Sequence, residues 1–137
     1  MMDEPIPSLW SDDVAIDVVP PITILRVQAT ALEEKTKGVL KGDVSTVSSD
    51  SGRFLIQFDI IASALQGSRY RLLTVSGSDG ESYPVAMEFP TGGYKEVATQ
   101  HEFIDLLQSV LQSPPIRSKI QSLIVKSKKV AKGVASS

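Results

Sequence analysis

Apolar and polar residues alternate most strongly at 53–62, RFLIQFDIIA. Phe54, Ile56, Phe58 and Ile60 fall on one side of an extended chain, and Leu55, Gln57, Asp59 and Ile61 on the other. That period of two predicts a strand with one fully apolar face. Residues 39–48, VLKGDVSTVS, repeat the pattern more weakly and predict a polar strand before it, with SDSG at 49–52 as the turn between them. Residues 63–68 form a connection. Residues 69–89, RYRLLTVSGSDGESYPVAMEF, then read as a hairpin.

A two-residue turn in that hairpin centres on Ser78-Asp79 or on Asp79-Gly80. Either register places Tyr70, Leu72, Thr74, Tyr83, Val85, Met87 and Phe89 on one face. It places Arg69, Arg71, Leu73, Val75, Ala86 and Glu88 on the other, with Glu88 opposite Arg69 or Arg71. Pro84 cannot donate to a ladder and so predicts an edge strand. GSDG supplies the glycines that a tight turn needs. It lacks the strand–loop–helix setting of a phosphate loop, so turn chemistry accounts for it.

Three helices complete the pattern. Pro20-Pro21 opens one over 21–37, with Leu25, Ala29, Leu32 and Thr36 on its apolar stripe and Gly38 as the expected C′ residue. PTGGY at 90–94 breaks the chain. Thr99 and Glu102 then have the spacing of a capping box for a helix over 100–112, apolar at Phe103, Ile104, Leu106, Leu107, Val110 and Leu111. Ser113-Pro114-Pro115 ends that helix and starts a third, with Ser113 as its cap and with Ile116, Ile120, Leu123, Ile124 and Val130 as its stripe.

Helix, four strands and two helices predict an α+β fold. We expect an antiparallel four-stranded meander with the helices packed mainly on one face. The helices should cover Phe54, Ile56, Phe58, Leu72, Val85 and Met87. On the opposite face, Leu55, Ile61, Leu73, Val75 and Ala86 predict a patch that something must cover. The chain's own N-terminal arm, the last helix and a second subunit are the candidates.

Composition narrows the function classes. A chain of 137 residues predicts one domain, and at 42% hydrophobic and 22% charged it has ordinary globular usage. Cysteine is absent, which excludes disulfides and thiolate metal sites. No apolar run reaches the 18 or so residues of a membrane span. The start, MMDEPIPSLWSDD, is acidic without an apolar h-region, so a soluble cytoplasmic protein is the expectation. Charge is uneven along the chain. Residues 1–19 hold Asp3, Glu4, Asp12, Asp13 and Asp17 without a cation, and residues 114–137 hold Arg117, Lys119, Lys126, Lys128, Lys129 and Lys132 without an acid. We therefore divide the chain into an acidic arm at 1–19, a domain at 20–132 and a frayed tail at 133–137.

Candidate chemistry is thin. His101, Asp105 and Ser109 share a helix face, but no nucleophile elbow accompanies them, and a first-turn histidine is ordinarily just exposed. One histidine with scattered carboxylates does not make a zinc shell. Asp43, Asp50, Asp59 and Asp79 lack calcium-loop spacing. No phosphate-loop or dinucleotide motif is present. Neither a cofactor nor a small-molecule ligand is therefore expected.

The residues singled out for interaction are Leu55, Leu73, Val75 and Pro84 on the sheet, Trp10 in the arm, and Lys119, Lys126 and Lys129 on the last helix. The expected function is a non-catalytic protein-interaction module that forms a homodimer or binds a protein partner. The alternatives are a small enzyme with an unrecognised site and an anion or nucleic-acid contact through the basic helix. Nucleic acid is not expected, because the chain is net acidic (−2) and its basic run has no interleaved aromatics.

Phe58 stands at the centre of the strongest strand, so Phe58→Ala should cost about 3–5 kcal/mol of stability. Urea unfolding monitored by circular dichroism checks this; a loss below about 1 kcal/mol, ordinary for a surface position, would mean that the strand faces the other way.

Overall fold

A computed structural model of the chain describes residues 7, 9, 18–48, 52–79, 82–90 and 92–136, the stretch 131–136 by its backbone alone. The elements in order are α1 (Pro21–Lys35), β1 (Leu40–Ser48), β2 (Phe54–Ala62), a 3-10 turn (Ser63–Leu65), β3 (Ser68–Gly77), β4 (Val85–Glu88), β5 (Tyr94–Val97), α2 (Gln100–Leu111) and α3 (Pro114–Ser136). The fold is α+β. Its sheet is an antiparallel meander in the order β1-β2-β3-β4-β5, with one N-terminal and two C-terminal helices. There are five strands rather than the expected four. Residues 90–94, expected as a break, close a hairpin from β4 to β5, in which Gly92 N–H donates to Phe89 O at 2.9 Å and Phe89 N–H to Gly93 O at 2.8 Å.

The core lies between the sheet and the helices. Ile56, Phe58 and Ile60 of β2 are buried as expected. The other strands show why register matters. Down to Phe58 the β2–β3 partners include Ile56↔Val75 and Phe58↔Leu73; beyond it they are Asp59↔Arg71 and Ile60↔Tyr70. Leu72 is therefore one residue too many, a β-bulge. The alternation reverses across it, so Leu72 and Leu73 are both buried and Val75 follows them into the core. This corrects the expected back face. Leu73 and Val75 do not belong to an exposed patch.

The β3–β4 register differs as well. Thr74 pairs with Glu88 and Val75 with Met87, so the loop is longer than a two-residue turn and Glu88 does not oppose Arg69 or Arg71. Asp79 organises that loop by accepting from Ser82 N–H at 2.9 Å and from Ser82 Oγ–H at 3.1 Å, an Asx-type closure. Pro84 is exposed and precedes the first residue of β4, where no ladder N–H is needed. It does not mark a sheet edge, because β4 pairs with β3 and β5.

The ends of α1 fix its seat. Its last turn closes with Gly38 N–H donating to Glu33 O at 2.8 Å and Lys37 N–H to Glu34 O at 3.2 Å, a Schellman pair. The C′ residue is thus Lys37, at φ 53°, one position before the glycine expected there. Thr36 Oγ1 joins helix to strand: it donates to Leu32 O at 2.9 Å and accepts from Leu40 N–H at 3.1 Å.

The capping box of α2 forms with one change. Thr99 Oγ1 accepts from Glu102 N–H at 3.2 Å, but Glu102 Oε2 takes the N–H of Ala98 at 2.7 Å. Ser113 does not cap α3 with its side chain; its hydroxyl turns back and donates to Val110 O at 2.6 Å. The helical backbone of α3 continues to Ser136, through residues expected as a tail.

α1 lies directly on β1 because Gly42 has no side chain. A Cβ there would sit 2.5 Å from Ala29 Cα and 2.6 Å from Ala29 Cβ, far inside any real contact. Gly42→Ala should therefore destabilise by about 1–3 kcal/mol, the range of core overpacking. Chemical denaturation checks this, and an unchanged midpoint would show that α1 can lift without loss.

Candidate functional site

Two surfaces could carry function: the sheet face turned away from the helices, and the outside of the helical layer. The register assigns Asp43 of β1, Leu55, Gln57, Asp59 and Ile61 of β2, and Arg69, Arg71 and Thr74 of β3 to the first surface. Asp43 lies opposite Asp59, a like-charge pair that would repel if left alone. Arg69 bridges them. Its Nη1 donates to Asp59 Oδ2 at 2.8 Å and its Nη2 to Asp43 Oδ2 at 3.0 Å, and Arg71 Nε donates to Asp59 Oδ1. Asp59 is buried, with only 5% of its side chain exposed, whereas both arginines remain about half exposed. Its hydrogen bonds to Asp43, with smaller help from Asp59, raise the pKa of the Arg69 guanidinium above its ordinary value. Two carboxylates and two guanidiniums leave the cluster with no net charge.

Sequence reasoning missed this cluster. The signal was one aspartate in an otherwise apolar strand, but its partners depend on the bulge register. Ile61, the cross-strand partner of Arg69, is half-buried, as is Leu55 further along the same face of β2. Among the described residues no helix crosses this face. At its borders Val47 and Tyr94 are exposed large apolar groups.

The helices sit on separate parts of the sheet and touch one another only lightly. A groove of about 500 Å³ separates α1 from α2, lined by Val19, Ile24, Val27, Ile104, Leu107 and Leu111 among others. A second, of about 860 Å³, lies between the end of α1 and α3, lined by Leu32, Lys35, Leu111, Arg117, Ile120 and Ile124 among others. Leu111 and Gln112 line both, so the two make one trough. Val27 is 57% exposed and Ile104 41%, unusual exposure for large apolar groups in a concave surface.

The chain enters the domain at the head of that trough. Val19 N–H donates to Gln100 Oε1 at 2.8 Å, and Tyr83 Oη–H donates to Val19 O at 2.9 Å. Tyr83 meets Phe103 edge-on, ring centroids 6.0 Å apart, and burial pushes its phenol up to about 12.

The other candidates stand apart from these surfaces. Lys119 is half-buried with its ammonium 4.7 Å from the Tyr70 ring centroid, a cation–π contact within the domain. Lys126 and Lys129 are exposed on α3. His101 Nε2 and Asp105 Oδ2 are 3.2 Å apart on the open side of α2. Trp10 lies outside the described residues, as do all five of the arm's acids. No group of three or more His, Asp or Glu side chains suited to a metal occurs among the described residues, and no described helix is long and apolar enough to cross a membrane. Neither the known protein families, nor the curated proteins, nor the solved structures contain a match to this chain.

The pairing scheme makes Asp59 the hub of the cluster and Asp43 its rim. Asp59→Ala should cost about 2 kcal/mol by removing a buried acceptor of charge-assisted hydrogen bonds. Asp43→Ala should cost less than about 1 kcal/mol, as for an exposed pair. Equal losses in urea titrations of the two variants would contradict that hierarchy.

Proposed function

We propose that the protein is a non-catalytic interaction module that self-associates as a two-fold dimer through the sheet face opposite the helices. The observation that carries this reading is the charge-balanced Asp43–Asp59–Arg69–Arg71 cluster, set among Leu55, Ile61 and Thr74 on a face that no described helix covers. A surface whose charges are already paired with one another can be buried without stranding a lone ion, the costly event in burying charge. Apolar groups beside it supply the gain on contact. With Leu73 and Val75 in the core the apolar area is smaller than the strand pattern implied, which favours a reversible dimer over an obligate one.

The position of Val19 supports a second copy over the arm as the cover. Val19 is tied to Gln100 and Tyr83 and lines a groove between helices, so the chain leaves the domain on the helical side. A cytoplasmic setting belongs to the same proposal, in keeping with a fold that closes without a disulfide.

Analytical ultracentrifugation tests the dimer. The native chain should show a concentration-dependent monomer–dimer equilibrium. The double variant Leu55→Glu, Ile61→Lys should be monomeric with an unchanged circular dichroism spectrum. A native monomer at every concentration, or an equilibrium indifferent to both substitutions, would overturn the proposal.

A further inference from the structure

Apart from Val19 and residues at the helix ends, the trough beside α1 is walled by helices. Val27 of α1 and Ile104 of α2 stand open in it, and Leu32, Leu111, Ile120 and Ile124 continue the apolar lining toward α3. Its polar lining is mostly uncharged, from Gln28, Gln108, Gln112 and Gln121. The charged side chains are Lys35 and Arg117, both in the half toward α3. Among the described residues no acidic side chain lines either half, and Glu33 and Glu34, next to Lys35 in the chain, line neither. Neither Lys35 nor Arg117 makes an ion pair with a described residue.

These walls restrict what can lie between them. A helix spends its backbone N–H and C=O groups internally, so helical walls offer no ladder to an extended chain. An extended peptide would bury its own backbone groups unpaired against leucine and isoleucine, whereas a helical one arrives with them already paired. The trough is open on its solvent side, as the exposure of Val27 and Ile104 shows, whereas a small-molecule pocket closes over most of its ligand. An unopposed lysine and arginine at one end call for acid on the occupant. Dimensions follow from α1, whose 15 residues rise about 22 Å, so a helix of about four turns spans the trough beside it. Lys35 lies about 12 Å along α1 from Val27, which puts the acids about two turns from the occupant's central apolar contact.

We propose that the trough between α1 and the α2–α3 pair is the docking groove for one amphipathic helix of a partner protein. That helix buries an apolar stripe on Val27, Ile104 and Leu111 and sets acidic side chains against Lys35 and Arg117. The groove is separate from the sheet face, so docking and self-association are independent.

The test is selection from a phage-displayed library of random peptides about 16 residues long, against the full chain, with counter-selection on the double variant Val27→Glu, Ile104→Glu. Both substitutions fall at exposed positions, so circular dichroism should stay native. Enriched peptides should carry apolar residues at i, i+3, i+4 and i+7, with Asp or Glu about two turns from the centre of that stripe. A synthetic copy should turn helical on binding. Its affinity, read by fluorescence anisotropy, should fall about tenfold or more for the variant Lys35→Glu, Arg117→Glu, also at exposed positions. Changing the peptide's acids to lysine should restore affinity for that variant. The sheet-face variant Leu55→Glu, Ile61→Lys should bind the peptide as the native chain does. Enrichment of no peptide would overturn the proposal. So would peptides with an apolar period of two, peptides held equally by the charge-reversed variant, or peptides released by the sheet-face substitutions.

Discussion

One extra residue in β3 decides what faces what in this protein. The bulge at Leu72 lets β3 begin with Tyr70 over the core and finish with Leu73 and Val75 there, so two consecutive leucines are buried. A regular strand would have sent one of each adjacent pair to the outside. The bulge lies where β2 changes from Phe58 to Asp59, and the arginines that grip Asp59 flank it at 69 and 71. Core packing on one side and ion pairing on the other therefore hold the same irregularity. A slip by one residue would expose Leu73 and bury an arginine, a loss on both faces at once.

The strong periodicities were legible. The apolar face of 53–62, the proline-led first helix and the Thr99 cap all appear where the side chains dictate, because each depends on neighbours a few residues away. The last strand was not legible. Of YKEV, only Val97 is buried, so β5 carries no alternation and is held by its pairing with β4. The hairpin register was misread because Asp79 bonds to Ser82 and sustains a longer loop than Asp-Gly alone suggests. Bulges leave no periodic trace, and the face assigned to Leu73 and Val75 changed for that reason alone.

The functional surfaces were harder still, since neither is a motif. The Asp–Arg cluster draws on three strands and forms only after their register is set. The trough arises from the spacing of helices that each bury a stripe against the sheet and have little left for one another. Amphipathic pattern tells which side of a helix turns inward. It is silent on the width of the gap beside the helix, which here is set partly by the close approach of Ala29 to Gly42.

That close approach also governs how the sheet can grow. β1 is an edge strand of nine residues without proline, the kind of edge on which a second chain readily templates. A strand added there would stand about 4.8 Å from β1. Two helices need about 8–10 Å between their axes. If the incoming strand were another β1 carrying its own α1 pressed onto its glycine, the helices would have to share space that holds only one. The missing side chain at residue 42 thus acts at a distance from itself: by drawing the helix down over the border strand, it sets two copies of α1 in each other's way whenever β1 would pair with β1.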